Sequence, residues 1–384
     1  MNVRVIVAAS VALALVCAPV TMEGQRNARD EKDAPRYSGR EVGPTPVGVI
    51  PDVRLRGDDR SKDLELTIEY PTRGGSHPLI LLSPGFGGTH RGYVGLSTYW
   101  AGNNYVVIRV NHADRVANVQ SAEDVWTNAT PADWRNRARD ITFVLDSLPK
   151  LIQEFPELEG KIDTTKIGVA GHSYGAHTAM LLGGAKTFPG AASYADPRVT
   201  AIVAMSPQGP SDQRGFTKDS WAELKVPALF MTGTLDRGAA ESETPEWRAE
   251  SFRLSPAGDK WLVTLEGAGH LTFSGGAAPG LLEQIARERG GADQGVNIPM
   301  APDPDDPDTI PGRRAPTGRE VMREGTRQPR GSKAENMALR QRELFAMSRG
   351  MTLMFFDTYL RGDAAGRTAL EKVAERKGVT LEKK

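Results

Sequence analysis

Short apolar runs recur along the chain at residues 79–82, 105–108, 167–170, 199–205, 228–231 and 261–265. Runs of this kind are buried on both faces, which places them inside a parallel sheet covered by helices on either side. Helical segments are expected over roughly 93–103, 131–149, 173–185, 245–255 and 335–361. Alternating strands and helices require crossover connections, so the chain should form an α/β domain: a mostly parallel central sheet flanked by helices. Residues 64–70 (Leu-Glu-Leu-Thr-Ile-Glu-Tyr) alternate apolar and polar instead, as expected of a half-buried edge strand.

The rest of the chain is organised around that domain. Residues 1–18 read as a secretory signal peptide. Arg4 supplies the positive start, and residues 5–16 are apolar apart from Ser10. This run suits a signal core but is short for a membrane span of about 20 residues. Val16-Cys17-Ala18 offers small residues for cleavage, although Pro19 is a poor residue to follow the cut; Cys17 as a lipoprotein cysteine is the alternative, for which Val16 is a poor neighbour. The expected location is therefore secreted or periplasmic. Residues 19–45 are polar and rich in Gly and Pro, as in a disordered linker. The folded α/β domain is expected over 46–363, with 290–332 as an inserted loop or flap before the last helix and 364–384 as a charged tail. The 48 basic and 48 acidic side chains cancel, which excludes a general nucleic-acid binder. The single cysteine excludes a disulfide framework, a zinc ribbon and an iron–sulfur cluster. No phosphate-binding or dinucleotide-binding glycine motif is present.

Gly171-His172-Ser173-Tyr174-Gly175 fits Gly-x-Ser-x-Gly, and a buried strand enters it while a helix of small and apolar residues leaves it. That strand–turn–helix context is what presents a serine hydroxyl at the top of a sheet. The hydroxyl needs a histidine base, and the histidine needs a carboxylate to orient it. His177 and His270 are the histidines that follow Ser173. His177 lies within the outgoing helix and reads as structural, whereas His270 sits in a glycine-lined loop after the last core strand. Asp236, in the loop after 228–231, is the candidate acid; Asp212 is the alternative position, and Asp196 reads as a turn residue. An oxyanion hole needs two backbone N–H groups. Tyr174 should supply one and Phe86, in Ser83-Pro84-Gly85-Phe86-Gly87-Gly88, the other, with Gly87 as runner-up. Trp126 and Trp134 either line an acyl pocket or pack the cap. His112 and Asp114 read as supporting residues near the site, since a metal role has no third ligand. Asp303, Asp305, Asp306 and Asp308 read as a solvated loop. Asn128-Ala129-Thr130 is a glycosylation sequon followed by Pro131, and is discounted. Neither metal nor cofactor is expected.

These features together resemble the α/β-hydrolases. More narrowly, the chain is similar to the bacterial secreted hydrolases grouped with platelet-activating-factor acetylhydrolases and dienelactone hydrolases. The residues that carry the likeness include His77-Pro78-Leu79-Ile80 leading to Gly85-Phe86-Gly87-Gly88, then Asn111-His112, the elbow, Asp196-Pro197-Arg198-Val199, Ser206-Pro207-Gln208-Gly209-Pro210 and the late helix 354–363. Cutinase-like polyester hydrolases share the oxyanion loop and the Gly-His-Ser elbow. The resemblance implies a serine ester hydrolase acting on a small-molecule or lipid ester, with no stable membrane span. A polyester hydrolase, a peptidase of the same fold and a hydrolase-like binding protein are the alternatives. Two departures stand out: Pro84 occupies a position where the family usually has histidine, and 290–332 is an unusual insertion. The family's cysteine-dependent dienelactone activity does not fit Ser173.

Overall fold

The structure, a computed structural model, describes residues 37–40, 42–57, 63–86, 88–112, 131–188, 190–211, 215–238, 242–275 and 333–384. The leader, most of the linker and the 290–332 insertion lie outside these residues. Within them, nine strands form one sheet: β1 (Val47–Leu55), β2 (Leu64–Pro71), β3 (His77–Ser83), β4 (Val106–Asn111), β5 (Ile162–His172), β6 (Val199–Met205), β7 (Ala228–Leu235), β8 (Lys260–Gly269) and β9 (Val379–Lys383). Their order is β1-β2-β4-β3-β5-β6-β7-β8-β9. β4, β3 and β5 to β8 run parallel, while β1, β2 and β9 pair antiparallel at the two sides.

The central strands are largely apolar because they feed two cores. Leu79 and Leu81 of β3 face one layer and Ile80 and Leu82 the other. The first layer is covered by α2 (Pro131–Asp146), α3 (Leu148–Glu154), α4 (Tyr174–Leu182) and α5 (Pro245–Arg253). The second is covered by α1 (Val94–Gly102) and the long α6 (Lys333–Arg361). Polar side chains on α6 tie it to the sheet side: Trp100 Nε1 donates to Thr352 Oγ1 (3.0 Å) and Tyr105 Oη donates to Asp357 Oδ1 (2.8 Å). The two-sided burial expected of β3 to β8 is thus what places the cores, and the architecture is the α/β-hydrolase fold. Among the described residues no helix is long and apolar enough to cross a membrane.

Two expectations are corrected at the sheet's edges. β2 is not an edge strand, because β1 covers it. Its polar positions are paired rather than solvated: Arg109 Nη2 donates to Glu69 Oε1 (2.9 Å) and Asn111 Nδ2 to Glu65 Oε2 (2.8 Å). β1 lacks a clean alternation because its register breaks between Ile50 and Val53, where Asp52 takes φ 52°. Residues 364–384, expected as a charged tail, instead form α7 (Ala364–Glu371) and then β9, which pairs with β8. Val379 and Leu381 join the second core, while Lys383 lies over the Trp261 ring at 4.4 Å. A short strand with charged outer positions is a common way to finish a sheet edge, and by composition it reads as tail.

Phe356 of α6 is fully buried, with its ring edge-on to Trp100 at 5.6 Å between centroids. A side chain at Gly168 would place its Cβ 2.7 Å from the Phe356 ring, so the helix packs directly on β5 there. Phe356→Ala should lower unfolding free energy by about 3–5 kcal/mol in denaturant titration. The 56% exposed Phe188 is the control, and Phe188→Ala should stay within about 0.5 kcal/mol of the parent.

Candidate active site

β5 ends at His172 and α4 begins at Tyr174, which leaves a single residue, Ser173, to turn the chain. Ser173 takes φ 54° and ψ −119°, a left-handed region that non-glycine residues avoid. The turn closes only because its flanking positions are bare. A Cβ at Gly171 would lie 1.9 Å from the carbonyl oxygen of Gly175, and one at Gly175 would lie 1.9 Å from that of Ser83. The Ser173 N–H donates to the Met205 carbonyl of β6 (2.9 Å), which anchors the turn to the next strand.

Three strand ends converge on this hydroxyl. Ser173 Oγ–H donates to His270 Nε2 (2.9 Å), and His270 Nδ1–H donates to Asp236 Oδ1 (3.0 Å). His270 opens the short helical turn His270–Ser274 after β8, and Asp236 follows β7. The imidazole is 27% exposed whereas the carboxylate is fully buried, so the ring is reachable from solvent and the carboxylate is dry. Thr232 Oγ1 donates to Asp236 Oδ2 (3.0 Å), and Arg248 Nε on α5 lies 2.8 Å from Oδ1. Burial alone would raise the Asp236 pKa. The Arg248 guanidinium and then the His270 hydrogen bond outweigh it and hold the carboxyl at about 2. Arg248 also donates to the carbonyls of Ser206 (2.9 Å), Pro207 (3.1 Å) and Asp236 (3.1 Å), joining the ends of β6 and β7. Such a chain can deprotonate a hydroxyl, store the proton on an imidazole and return it to a leaving group.

Phe86 and Tyr174 face each other with their rings edge-on at 5.7 Å. Tyr174 is the first residue of α4, where N–H groups lack partners within the helix and the helix dipole favours negative charge. The loop that carries Phe86 is held without a histidine at Pro84. Arg137 of α2 donates to the carbonyls of Pro84 (2.7 Å) and Gly85 (3.3 Å), and its guanidinium lies 4.3 Å from the Tyr174 ring centroid. His112 supports the same loop: Ser83 Oγ–H donates to its Nε2 (2.9 Å) and its Nδ1–H donates to Asp140 Oδ2 (2.8 Å), all three buried.

The structure therefore brings Ser173, Asp236, His270, Phe86 and Tyr174 to one place. His177 stacks on Phe216 at 4.1 Å, in keeping with a structural role. Trp134 is 7% exposed and packs on the His177 ring at 5.3 Å. Asp196 pairs with Arg198 (2.7 Å) in the turn before β6. Gly87, Asp114, Trp126, Asn128, Asp212 and the Asp303–Asp308 run lie outside the described residues. Among the described residues no group of three or more His, Cys, Asp or Glu could hold a metal ion. Sequence reasoning assigned no role to Arg137, Arg248, Tyr93 or His172. His172 lay in the elbow motif and could have been weighed; a lone arginine on a helix carries no local signal that it will be buried against carbonyls.

No family model matches the chain. It is similar to "Cutinase est1" of Thermobifida alba, 26% identical over 204 residues, covering 53% of this chain and 57% of that protein. "Cutinase est2" of the same organism is 24% identical over 204 residues (53% and 56%), and "Cutinase 2" of Thermobifida cellulosilytica 23% over 170 residues (44% and 52%). The chain thus spans about half the length of these relatives. The sheet order, the strained serine turn and these distant cutinase homologues place the chain in the α/β-hydrolase superfamily.

Proposed function

We propose that the chain is a secreted serine ester hydrolase that works through an acyl-enzyme. The observation that carries this reading is the unbroken hydrogen-bond chain Ser173–His270–Asp236 at the ends of β5, β8 and β7. In this mechanism Ser173 Oγ attacks the ester carbonyl carbon as its proton passes to His270 Nε2. The N–H groups of Phe86 and Tyr174 receive the oxyanion. His270 gives its proton to the departing alkoxide, which leaves as an alcohol. Water then attacks the acyl carbon as His270 Nε2 takes its proton, and His270 returns that proton to Ser173 Oγ as the carboxylic acid leaves. Asp236 fixes the imidazole tautomer throughout and stabilises the imidazolium.

The substrate class proposed first is a short-acyl ester, including phospholipid esters with a short acyl group, on the resemblance to the acetylhydrolase group. The similarity to proteins named cutinases supports a second reading, a polyester hydrolase. A panel of p-nitrophenyl esters of rising chain length, a short sn-2 phospholipid and a polyester film separates the two. Release of soluble acid from the film at a rate matching the best small ester would favour the second.

Ser173→Ala should lower kcat on p-nitrophenyl butyrate by roughly 10⁴-fold or more and abolish labelling by a fluorophosphonate probe. A variant that keeps its activity would sink the mechanism.

Asp236→Asn should cost roughly 10³–10⁴ in kcat by favouring the wrong imidazole tautomer. It should also change acid stability. The Asp236 pKa falls from 3.8 to about 2 on folding. A carboxyl depressed in this way contributes stability that is complete above the unfolded value and is lost as pH falls through the folded one. Its contribution, about 2 kcal/mol, should disappear between about pH 4 and 2. Urea titrations across that window should show a shallower pH dependence in Asp236→Asn than in the parent.

A further inference from the structure

Behind the Ser173–His270 pair lies a second line of hydrogen bonds that the reaction itself does not use. The Gly85 N–H, in the loop that carries Phe86, donates to Tyr93 Oη (2.9 Å). Tyr93 Oη is 2.9 Å from His172 Nδ1, and His172 Nε2 is 2.8 Å from the carbonyl oxygen of His270. Tyr93 and His172 are 7% and 3% exposed. The ends of this line are chemically fixed, since a backbone N–H can only donate and a carbonyl can only accept. His172 must therefore carry its proton on Nε2 and, as a neutral ring, accept at Nδ1 from the tyrosine hydroxyl. Burial, reinforced by the nearby His270, pushes the His172 pKa down to about 3, and burial pushes Tyr93 up to about 12. The charged and titratable groups around His172 are Tyr93, His270, Asp236 and Arg248.

Two further observations show that the chain is shaped to make this line. Tyr93 holds φ 65° at the start of α1, a left-handed conformation that a bulky side chain adopts only when its surroundings impose it. A Cβ at Gly85 would come 3.1 Å from Tyr93 Oη and 3.4 Å from His172 Nδ1, so the bare glycine is what lets the loop settle onto the pair. The His172 ring also lies against His270, 4.9 Å between centroids.

We propose that Tyr93 and His172 are positioning residues that lock the oxyanion loop and the main chain of His270 to one another, so that oxyanion hole and base are set as a single unit. The inference rests on the ester-hydrolase reading of Ser173. The line has one end next to the Phe86 N–H and the other on the residue that moves the proton. Its loss should leave substrate binding nearly intact and misplace both groups in the transition state.

The test compares the parent with Tyr93→Phe, His172→Asn and the double variant, using p-nitrophenyl butyrate well below each melting temperature. Each single variant should lower kcat by roughly 10–100-fold with KM within about 3-fold, the split expected when only transition-state interactions are lost. Because both residues belong to one line, the double variant should be no more than about 3-fold worse than the worse single. Folded single variants with kcat within about 2-fold of the parent would overturn the proposal, as would losses that multiply in the double. Nitrogen NMR of the parent needs no variant to fold: His172 should be the neutral Nε2–H tautomer from about pH 5 to 9, and a proton on Nδ1 in that range would overturn the line. A parent that neither hydrolyses esters nor forms a Ser173 adduct with a fluorophosphonate would instead overturn the ester-hydrolase reading and this inference with it.

Discussion

The site depends on how closely β3 and the start of α4 can approach. Gly175 stands with no side chain where a Cβ would lie 1.9 Å from the Ser83 carbonyl oxygen. That contact sets the loop carrying Phe86 directly beside the first N–H of α4. The same turn forces Ser173 to φ 54° and so lifts its hydroxyl clear of the sheet. A strained residue persists only where its surroundings over-determine it. Here the surroundings are the hydrogen bond to Met205, the two glycines and the helix that follows.

Around the elbow, buried arginines do much of the fixing. Arg137 and Arg248 are nearly inaccessible, yet each spends its N–H groups on main-chain carbonyls at strand ends. A guanidinium suits this work because its donors form a rigid planar fork. Arg137 holds the loop at Pro84, where the resemblance leads one to expect a histidine. Arg248 holds the loop ends of β6 and β7 and keeps the Asp236 carboxylate charged although it is dry. Removing either partner of the Arg248–Asp236 pair would leave a buried charge uncompensated, which costs far more than the pair itself contributes.

Much of this was legible in the sequence. The apolar runs of β3 to β8 announced the parallel sheet, because burial on both faces removes the polar alternation. The meeting of Ser173, Asp236 and His270 was legible, the first from a local motif in its context and the other two from chain order after it. The edges were not. β1 carries a bulge at Asp52 that breaks its period, and β9 is too short and too charged to stand out from a tail. Glu65 and Glu69 looked solvent-facing because nothing in their own strand reveals Asn111 and Arg109 across the sheet. Tyr93, Arg137 and Arg248 belong to the same class. Their roles come from partners as far as 79 positions away, and periodicity carries no information about such pairings.

β9 gives the architecture a temporal order. It pairs Trp261 with Lys383, so the strand that leads to His270 is completed by residues made more than a hundred positions later. Closing so long a loop is entropically costly and slow relative to local helix formation. Gln341 of α6 donates from Nε2 to the Gly267 carbonyl (3.0 Å) and accepts at Oε1 from Thr272 Oγ1 (2.6 Å), so the loop that carries His270 is gripped from the late part of the chain on a second side. The strands that shape the elbow, β3, β5 and β6, are neighbours in the sheet, whereas the loop of His270 is held partly by α6 and the strand before it by β9. In a chain emerging in order, the turn at Ser173 precedes both α6 and β9, so the residues that grip the His270 loop come after those that shape the elbow.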